Sequence, residues 1–511
     1  MAIVFTLPVT AEPPTLADNT ADVDRLKRAL AVTLTDGPLV VPWRQAARVA
    51  RRFRKAGFCG TAVVNRMEGH YQVVDFLPLP PAELPALALD LGTTTLEGTL
   101  IDLQSGRSMA RAHAANGQIP LGDDILARIH RAATEAGSAE LRQTVVASIN
   151  GLALELSRQG GVDVADIRAM SVSGNPTMAH LFLGFDPYHI CREPYIPQVS
   201  APDLTIAGEL GLVIHPAAPV FTLPGVGSYF GGDLISGILA SGLDQQEETC
   251  MLIDVGTNAE VVLGNREWLI ACAGAAGPAL EGGVARMGMR AGPGAIEHVA
   301  IDPQTLAVNW QTIDQQPPCG LCGSGIIDLV AALYLARIID RRGKFRPGSD
   351  PARLTPGSDG LLYTVVPAAE AAGGRPVLLG QVDLDALMRS KAAMYAILST
   401  LVSQVGVGFN DLHRIFVAGA FGRHIDPRQA ITLGMLPDLP LAVYQPIGNS
   451  SLAGAEMVLM DDLARDRCRR ITQAITYVEL SVNQEFMLRF SGAKFIPHTN
   501  HGLFPSVPVF E

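Results

Sequence analysis

The first 84 residues alternate between helical and strand-like hydrophobic patterns. Residues 22–34 carry apolar side chains at helical spacing, and residues 43–56 predict a second helix. Apolar runs at 61–65 and 71–75 predict a hairpin. The proline-rich stretch at 77–85 then predicts a linker, so residues 1–84 are expected to form a small α/β domain.

Two later segments share one pattern, in which a buried strand leads through a glycine turn into a second strand. Residues 87–91 are apolar and 96–103 alternate, and the pattern returns at 251–274. Helices predicted at 124–136 and 141–159, and a strand at 169–173, make the class α/β. This distant repeat of one unit predicts two related lobes, over residues 85–245 and 246–511. Strand-like runs at 476–480 and 486–489 are expected to close the second lobe.

Composition and charge narrow the classes of partner. The chain has 511 residues, of which 48% are hydrophobic and 17% charged, a balance that can bury large cores and excludes disorder. Its net charge of -11 argues against a nucleic-acid partner. The basic run at 48–55 is interpreted as a solvated helix face or a docking patch. Seven scattered cysteines do not indicate a disulfide scaffold.

The N-terminus has the features of neither a signal peptide nor a membrane anchor. It lacks a basic region and a long apolar core, and no stretch of the chain approaches ~18 apolar residues. The sequence therefore predicts a cytoplasmic protein with no membrane partner.

The glycine turn in each repeat is the first candidate site. Glycine lets the backbone approach an anion, and consecutive N–H groups and hydroxyls then donate to phosphate oxygens. A carboxylate at the strand end is suited to hold Mg²⁺. Two such turns facing each other are expected to clamp the phosphates of a nucleotide. The residues are Asp90, Gly92, Thr93, Thr94 and Thr95 in the first turn, and Asp254, Gly256, Thr257 and Asn258 in the second.

A third glycine motif follows an apolar strand at 415–418. It comprises Gly419, Ala420, Phe421 and Gly422, and a helix is predicted to begin near Arg428. The three motifs, in this order, resemble those of the superfamily of actin, sugar kinases and heat-shock chaperones. The resemblance implies a duplicated, actin-like ATPase of two ribonuclease-H-like lobes, with ATP as cofactor, Mg²⁺ on Asp90 and Asp254, and adenosine beside residues 419–422.

The candidate for orienting the attacking water is Asp233, which follows Gly231 and Gly232. An N-cap role for Asp233 is weighed equally. Asp254 is the second candidate for catalysis. Cys319 and Cys322 form the sole CxxC pair, which is interpreted as a turn before a helix rather than a redox or metal pair.

Longer segments resemble a narrower family, the reductive activators of corrinoid-dependent enzymes. They include residues 11–30, 88–106, 172–187, 319–333 and 477–490, and together the similar segments extend over nearly the whole chain. The resemblance implies an ATPase that assists reduction of cobalt(II) to cobalt(I) on a corrinoid protein, with a methyltransferase system as the expected setting. Members carry a ferredoxin-type iron–sulfur domain, but the four closely spaced cysteines that it needs are missing here. A separate ferredoxin-type donor is therefore expected, and no iron–sulfur cluster in this chain.

Two alternatives stay open at this stage. Without its own cluster, the chain would serve as an ATP-switched binding module or chaperone for a metalloprotein. A small-molecule kinase of the same fold is the other alternative, although no sugar or acid pocket is recognised. The oligomeric state is also open, including a homodimer.

Overall fold

The computed structural model describes residues 1–67, 69–256, 259–274, 285–358, 360–480 and 483–510, excluding the side chains of residues 420, 421 and 423. The chain divides into two compact units. Unit 1 contains Met1–Ala240 and Ser451–Gln473, and unit 2 contains Ser241–Ser450 and Ala474–Glu511. The three-domain division of the sequence stays a prediction.

Strands and helices are numbered in chain order. The strands are β1 Val4–Thr10, β2 Leu39–Val40, β3 Cys59–Met67, β4 His70–Leu77, β5 Pro85–Leu91, β6 Thr95–Asp102, β7 Ser108–Ala115, β8 Met170–Ser173, β9 Thr205–Ile206, β10 Pro219–Thr222, β11 Cys250–Val255, β12 Ala259–Gly264, β13 Leu269–Gly274, β14 Ala295–Ile301, β15 Val308–Thr312, β16 Gly320–Leu321, β17 Leu354–Gly357, β18 Gly360–Val366, β19 Val377–Gly380, β20 Arg414–Ala418, β21 Tyr444–Gly448 and β22 Ile475–Tyr477. The helices are α1 Asp22–Leu30, α2 Trp43–Lys55, α3 Ile125–Ala132, α4 Glu135–Gly160, α5 Pro176–Leu183, α6 Ala207–Leu210, α7 Gly232–Ser241, α8 Gly323–Leu335, α9 Gln381–Gln404, α10 Gly419–His424, α11 Pro427–Leu433, α12 Ser450–Met460, α13 Asp462–Ala474 and α14 Gln484–Gly492.

Unit 1 begins with a four-stranded sheet of order β1-β3-β4-β2, on which α1 and α2 pack. The predicted hairpin is confirmed, because β3 and β4 pair antiparallel. The basic run on α2 is partly turned inward: Arg48 and Arg52 lie against the buried carboxylate of Asp75, and Arg54 pairs with Asp22. The interpretation of this run as a solvated face therefore holds for only part of it.

The large sheets of the two units share the topology of five strands, and each has a sixth strand on a different edge. In unit 1 the order is β7-β6-β5-β8-β10-β9, and in unit 2 it is β21-β20-β11-β12-β13-β22. Each contains an antiparallel meander, β5-β6-β7 or β11-β12-β13, whose first strand has a parallel neighbour, β8 or β20. The predicted duplicated α/β fold is therefore confirmed, and the glycine turn follows the first strand of each meander.

Separate hydrophobic cores support these sheets. In unit 1, α4 packs across β6 and β7 over a core of leucine, valine and isoleucine side chains. In unit 2, α8 and α9 contribute to a larger core together with β11, β12 and β13. Within the described part of the chain, no helix combines the length and the apolar character needed to cross a membrane.

Of the two strands predicted near the C-terminus, the second is wrong. Residues 475–477 form β22, but residues 486–489, predicted as a strand, belong to helix α14. Local contacts explain the helix: the Asn483 side chain accepts from the backbone N–H of Phe486, Glu485 pairs with Arg489 four residues later, and Phe486 packs against Phe490. Helix α1 also ends at Leu30, earlier than predicted.

Candidate functional site

The first glycine turn connects β5 to β6 in unit 1. Gly92 is required sterically, because a Cβ there would lie 2.4 Å from the carbonyl oxygen of Thr95. Asn116, which follows β7, holds the turn twice: its Nδ2 donates to the Gly92 oxygen at 3.0 Å and its backbone N–H to the Thr94 oxygen at 2.9 Å. Two backbone carbonyls of the turn are thus held by Asn116.

Asn175 holds the same turn from a second side. Its Nδ2 donates to Oγ1 of Thr93 at 3.0 Å, while its Oδ1 accepts from the N–H of Met178 and caps α5. The Asn175 side chain thus combines a helix cap with a contact to the predicted turn.

Asp90 lies on β5, just before this turn. Its Oδ1 accepts a hydrogen bond of 2.7 Å from the hydroxyl of Ser451, which lies on α12. Ser451 was not predicted from the sequence as a residue of the site. Because the two residues are 361 positions apart, no local pattern signals their contact.

Asp233 lies in the first turn of α7, also in unit 1. Its Oδ1 accepts from the backbone N–H of Leu234 at 2.9 Å, which is the kind of contact a helix-terminal carboxylate makes. A Cβ on Gly231 would lie 2.7 Å from that same oxygen. Glycine at 231 therefore leaves room for the carboxylate, and the part of Asp233 in hydrolysis stays a prediction.

The second turn and the third glycine motif lie side by side in unit 2. Strands β11 and β20 run parallel, with Asp254 opposite Ala418. The next residue, Gly419, has a φ of +75°, and a Cβ on it would lie 3.1 Å from Oδ1 of Asp254. The structure thus brings the predicted phosphate carboxylate and the predicted adenosine motif to one edge of one sheet.

The third motif differs from the glycine-rich turn that was expected. Gly419 makes the turn, and residues 419–424 then form α10. A Cβ on Gly422 would lie 2.1 Å from the carbonyl oxygen of Val417, so glycine allows α10 to begin directly after β20. Ala420 and Phe421 lie on α10, and their side chains are outside the description. Gly256 follows β11, whereas Thr257 and Asn258 lie outside the described residues.

These groups fit a nucleotide with Mg²⁺ in their chemistry. Each unit presents a carboxylate at a strand end, Asp90 or Asp254, and carboxylate oxygens are the hard ligands that Mg²⁺ prefers. Gly419 keeps the space beside the Asp254 carboxylate free of a side chain, and Gly92 allows the tight turn that follows Asp90. No group of three His, Cys, Asp or Glu side chains suited to a metal occurs among the described residues. Mg²⁺ would therefore depend on phosphate oxygens and water for most of its ligands.

The remaining sequence candidates take structural roles. Asp124 caps α3, because its Oδ1 accepts from the backbone N–H of Ala127. Cys322 is buried, with its thiol 3.2 Å from the Ile296 oxygen, and it immediately precedes α8, while Cys319 is exposed. The CxxC segment therefore precedes a helix as predicted, but the residues between the two cysteines form the short strand β16, which pairs with β14, and not a turn.

Comparisons with known proteins give a consistent result. Three family models match consecutive segments: the RACo linker region at residues 4–79, the RACo middle region at 85–246, and the C-terminal domain of RACo, described as the ASKHA domain, at 248–508. A "Corrinoid activation enzyme RamQ" from Eubacterium limosum is 31% identical over 426 residues, covering 81% of this chain and 71% of that protein. A "[Co(II) methylated amine-specific corrinoid protein] reductase" from Methanosarcina barkeri is 24% identical, covering 76% and 72%.

One solved structure resembles the chain over nearly its full length. It is titled "Reductive activator for corrinoid,iron-sulfur protein". The two structures superpose with a TM-score of 0.91 at 38% sequence identity, covering 99% of this chain and 81% of that one.

Proposed function

The chain belongs to the RACo family, and on this premise we propose that it is an ATPase that assists the reduction of a corrinoid protein from cobalt(II) to cobalt(I). The observation that carries the proposal is the similarity, over 99% of the chain, to a structure titled as a reductive activator. The two similar proteins whose names specify a corrinoid activation enzyme and a corrinoid protein reductase support the same activity.

We assign the binding of ATP and Mg²⁺ to the glycine turns and to α10. In unit 1, Gly92 to Thr95 offer N–H groups and hydroxyls to phosphate oxygens, and Asp90 offers a carboxylate to Mg²⁺. In unit 2, Asp254 and Gly256 to Asn258 serve the same purpose. Residues 419–422 accommodate the adenosine, and Asp233 orients the attacking water. Mg²⁺ supplies charge neutralisation at the phosphates when bound.

We assign the electron to a separate iron–sulfur protein of the ferredoxin type. Reduction of cobalt(II) to cobalt(I) needs one electron, and hydrolysis of ATP supplies free energy but no electron. The seven cysteines of the sequence are scattered apart from the Cys319 and Cys322 pair, and all seven are free thiols. A four-cysteine motif for an iron–sulfur cluster is therefore absent from this sequence.

The test is ATP hydrolysis in the presence and absence of a cobalt(II) corrinoid protein from the same cell, with a reduced ferredoxin as donor. We expect the corrinoid protein to stimulate hydrolysis, and the cobalt(I) absorbance band to rise only when ATP and the donor are both present. Asp254→Asn should abolish the stimulated hydrolysis. Glu370→Gln removes an exposed carboxylate of the same unit and should leave it intact.

Two outcomes would overturn the proposal. Hydrolysis that is indifferent to every corrinoid protein offered would contradict an activator. Stimulated hydrolysis without any cobalt(I), even with a reduced donor, would instead indicate an ATP-switched binding module.

A further inference from the structure

Three buried serine hydroxyls form a continuous line that ends on Asp90. Ser451 Oγ lies 2.7 Å from Asp90 Oδ1, Ser173 Oγ lies 2.9 Å from Ser451 Oγ, and Ser236 Oγ lies 2.9 Å from Ser173 Oγ. Ser173 and Ser236 are completely buried, and Ser451 is 6% exposed. All four residues belong to unit 1.

The chemistry of the end group fixes the direction of every bond in this line. An ionised carboxylate only accepts, so Ser451 must donate its single hydroxyl proton to Asp90. Ser451 therefore accepts a hydrogen bond from Ser173. Ser173 uses its only hydroxyl proton in that bond and cannot donate to Ser236. Ser236 must therefore donate to Ser173. All three O–H dipoles point toward Asp90, and hydrogen bonds aligned in this way strengthen one another.

Packing holds the serines in register. The Ser171 hydroxyl donates to the Ala455 oxygen at 2.6 Å and fastens α12 to β8 one turn beyond Ser451. A Cβ on Gly454 would lie 2.5 Å from the Cα of Ser236, so α12 and α7 touch at backbone distance. The line of hydroxyls thus crosses three elements, α12, β8 and α7, that cannot move apart without breaking it.

We propose that Ser451, Ser173 and Ser236 are positioning residues, which orient the Asp90 carboxylate for the Mg²⁺ of the bound nucleotide and couple that orientation to α7. The proposal rests on the function proposed above. It deepens that function, because α7 also carries Asp233, one helical turn before Ser236. The line thereby connects the Asp90 carboxylate to the helix that carries Asp233, the second carboxylate assigned to unit 1.

The hydrogen bonds of these three serines differ from those of a serine that only fills a core. Serines that serve only to fill a core donate to their own helix, as Ser157 does to the Leu154 oxygen in α4. The three hydroxyls of the line instead bond to one another across elements and end on a charged group. Their loss should therefore change how Asp90 meets a metal ion, in addition to any change in stability.

The test is a titration of Mg²⁺ into the full chain with a fluorescent ATP analogue, read as nucleotide binding rather than turnover. Ser451→Ala should raise the Mg²⁺ concentration for half-maximal binding by about threefold to tenfold, the fold-change that corresponds to the loss of one ordinary hydrogen bond. Ser236→Ala, two bonds away from the carboxylate, should raise it by about twofold. Nucleotide binding in EDTA should be unchanged in both variants.

Ser157→Ala is the matched control, since it removes a buried serine hydroxyl of the same unit, and it should titrate like the wild type. Should Ser451→Ala fail to fold, as seen by thermal unfolding, Ser236→Ala decides alone. Mg²⁺ curves that superpose on the wild type in the folded variants would overturn the positioning role. A wild type whose nucleotide binding ignores Mg²⁺, or that binds no nucleotide, would overturn the proposed function instead.

Discussion

Gly419 is the residue at which backbone conformation and candidate chemistry meet most closely. Its φ of +75° lies in the left-handed region, and a Cβ would stand 3.1 Å from Oδ1 of Asp254 and 3.2 Å from the Val255 oxygen. A side chain there would both strain the turn and press on the carboxylate assigned to Mg²⁺.

Gly419→Ala should therefore impair nucleotide binding as well as stability. Gly406→Ala is the matched control, because Gly406 has a φ of +68° in the same unit but open space around its Cβ position. We expect both variants to lose about 1 kcal/mol through strain, and Gly419→Ala to lose about 1–2 kcal/mol more through overpacking. Equal nucleotide affinities for the two variants in a binding titration would contradict this assignment.

At the residue scale, the side chain of His498 makes a pH-dependent contribution to the stability of unit 2. It packs between Tyr395 and Phe504, and burial, together with the charge of nearby Lys391, lowers its pKa to about 4. Because the unfolded value is about 6.5, the folded state disfavours the protonated ring. The stability associated with the neutral ring is complete above about pH 6.5 and falls as the pH drops toward 4.

Wild-type unit 2 should lose about 1–2 kcal/mol of unfolding free energy between pH 6.5 and 4 from this group, after allowance for its partial exposure. His498→Phe keeps an aromatic ring without a titrating nitrogen and should flatten the profile over this window. His413→Phe alters an exposed histidine of the same unit and should leave the slope unchanged. Denaturant unfolding at several pH values measures the difference.

At the scale of elements, one buried carboxylate on β4 links that strand to α2 and to more distant segments of unit 1. Asp75 on β4 is almost inaccessible and contacts Arg52 at 2.7 Å, Arg168 at 3.3 Å and His215 at 3.5 Å. Burial alone would raise the pKa of Asp75, but His215 and the arginines hold it well below its usual range. Its ionised form therefore stabilises the fold above about pH 4, and this contribution is lost as the pH falls further.

Asp75→Asn should destabilise unit 1 by about 2–4 kcal/mol, because it leaves buried guanidinium groups without their counter-charge. Glu83→Gln, which breaks the exposed pair with Arg107, should cost less than about 1 kcal/mol. Chemical denaturation of the two variants makes the comparison. A similar loss of unfolding free energy in both variants would contradict this prediction, because the Asp75 cluster would then contribute no more to stability than an exposed ion pair.

The sequence predicts elements well where their pattern is local and poorly where tertiary contacts decide. The meanders β5-β6 and β11-β12-β13 follow from apolar runs around a glycine turn. Strand β1 was not expected from sequence, because its exposure alternates irregularly and its pairing with β3 spans about 55 residues. In α14, a capping asparagine and pairs at helical spacing outweigh the short apolar run that predicted a strand.

Over the whole molecule, the sequence predicts the residues that are proposed to bind the nucleotide, but not the buried residues that hold them in place. Asp90, Gly92, Asp254 and Gly419 stand in recognisable motifs, so the sequence alone places them at strand ends. The contacts of Ser451, Ser173 and Ser236 could not be predicted in this way, because a local sequence pattern does not show which buried hydroxyl contacts which carboxylate.

The separate cores of the two units predict unfolding in more than one step. The largest core lies wholly within unit 2, and two others lie within unit 1. Calorimetry should therefore show two transitions. We expect Asp75→Asn to lower the transition of unit 1 and Gly419→Ala to lower that of unit 2. A single transition, shifted as a whole by either change, would contradict independent cores.

The distance between Asp90 and Ser451 along the chain also has a consequence for synthesis. At about 5–20 residues per second, the 361 residues between them take roughly 20–70 s to translate. For most of that interval the nascent protein already contains β5, its turn and β8, but not the donor that orients the aspartate. Ribosome-bound chains stalled before and after residue 451 should therefore differ in their Mg²⁺-dependent nucleotide capture, with the metal-responsive state arriving last.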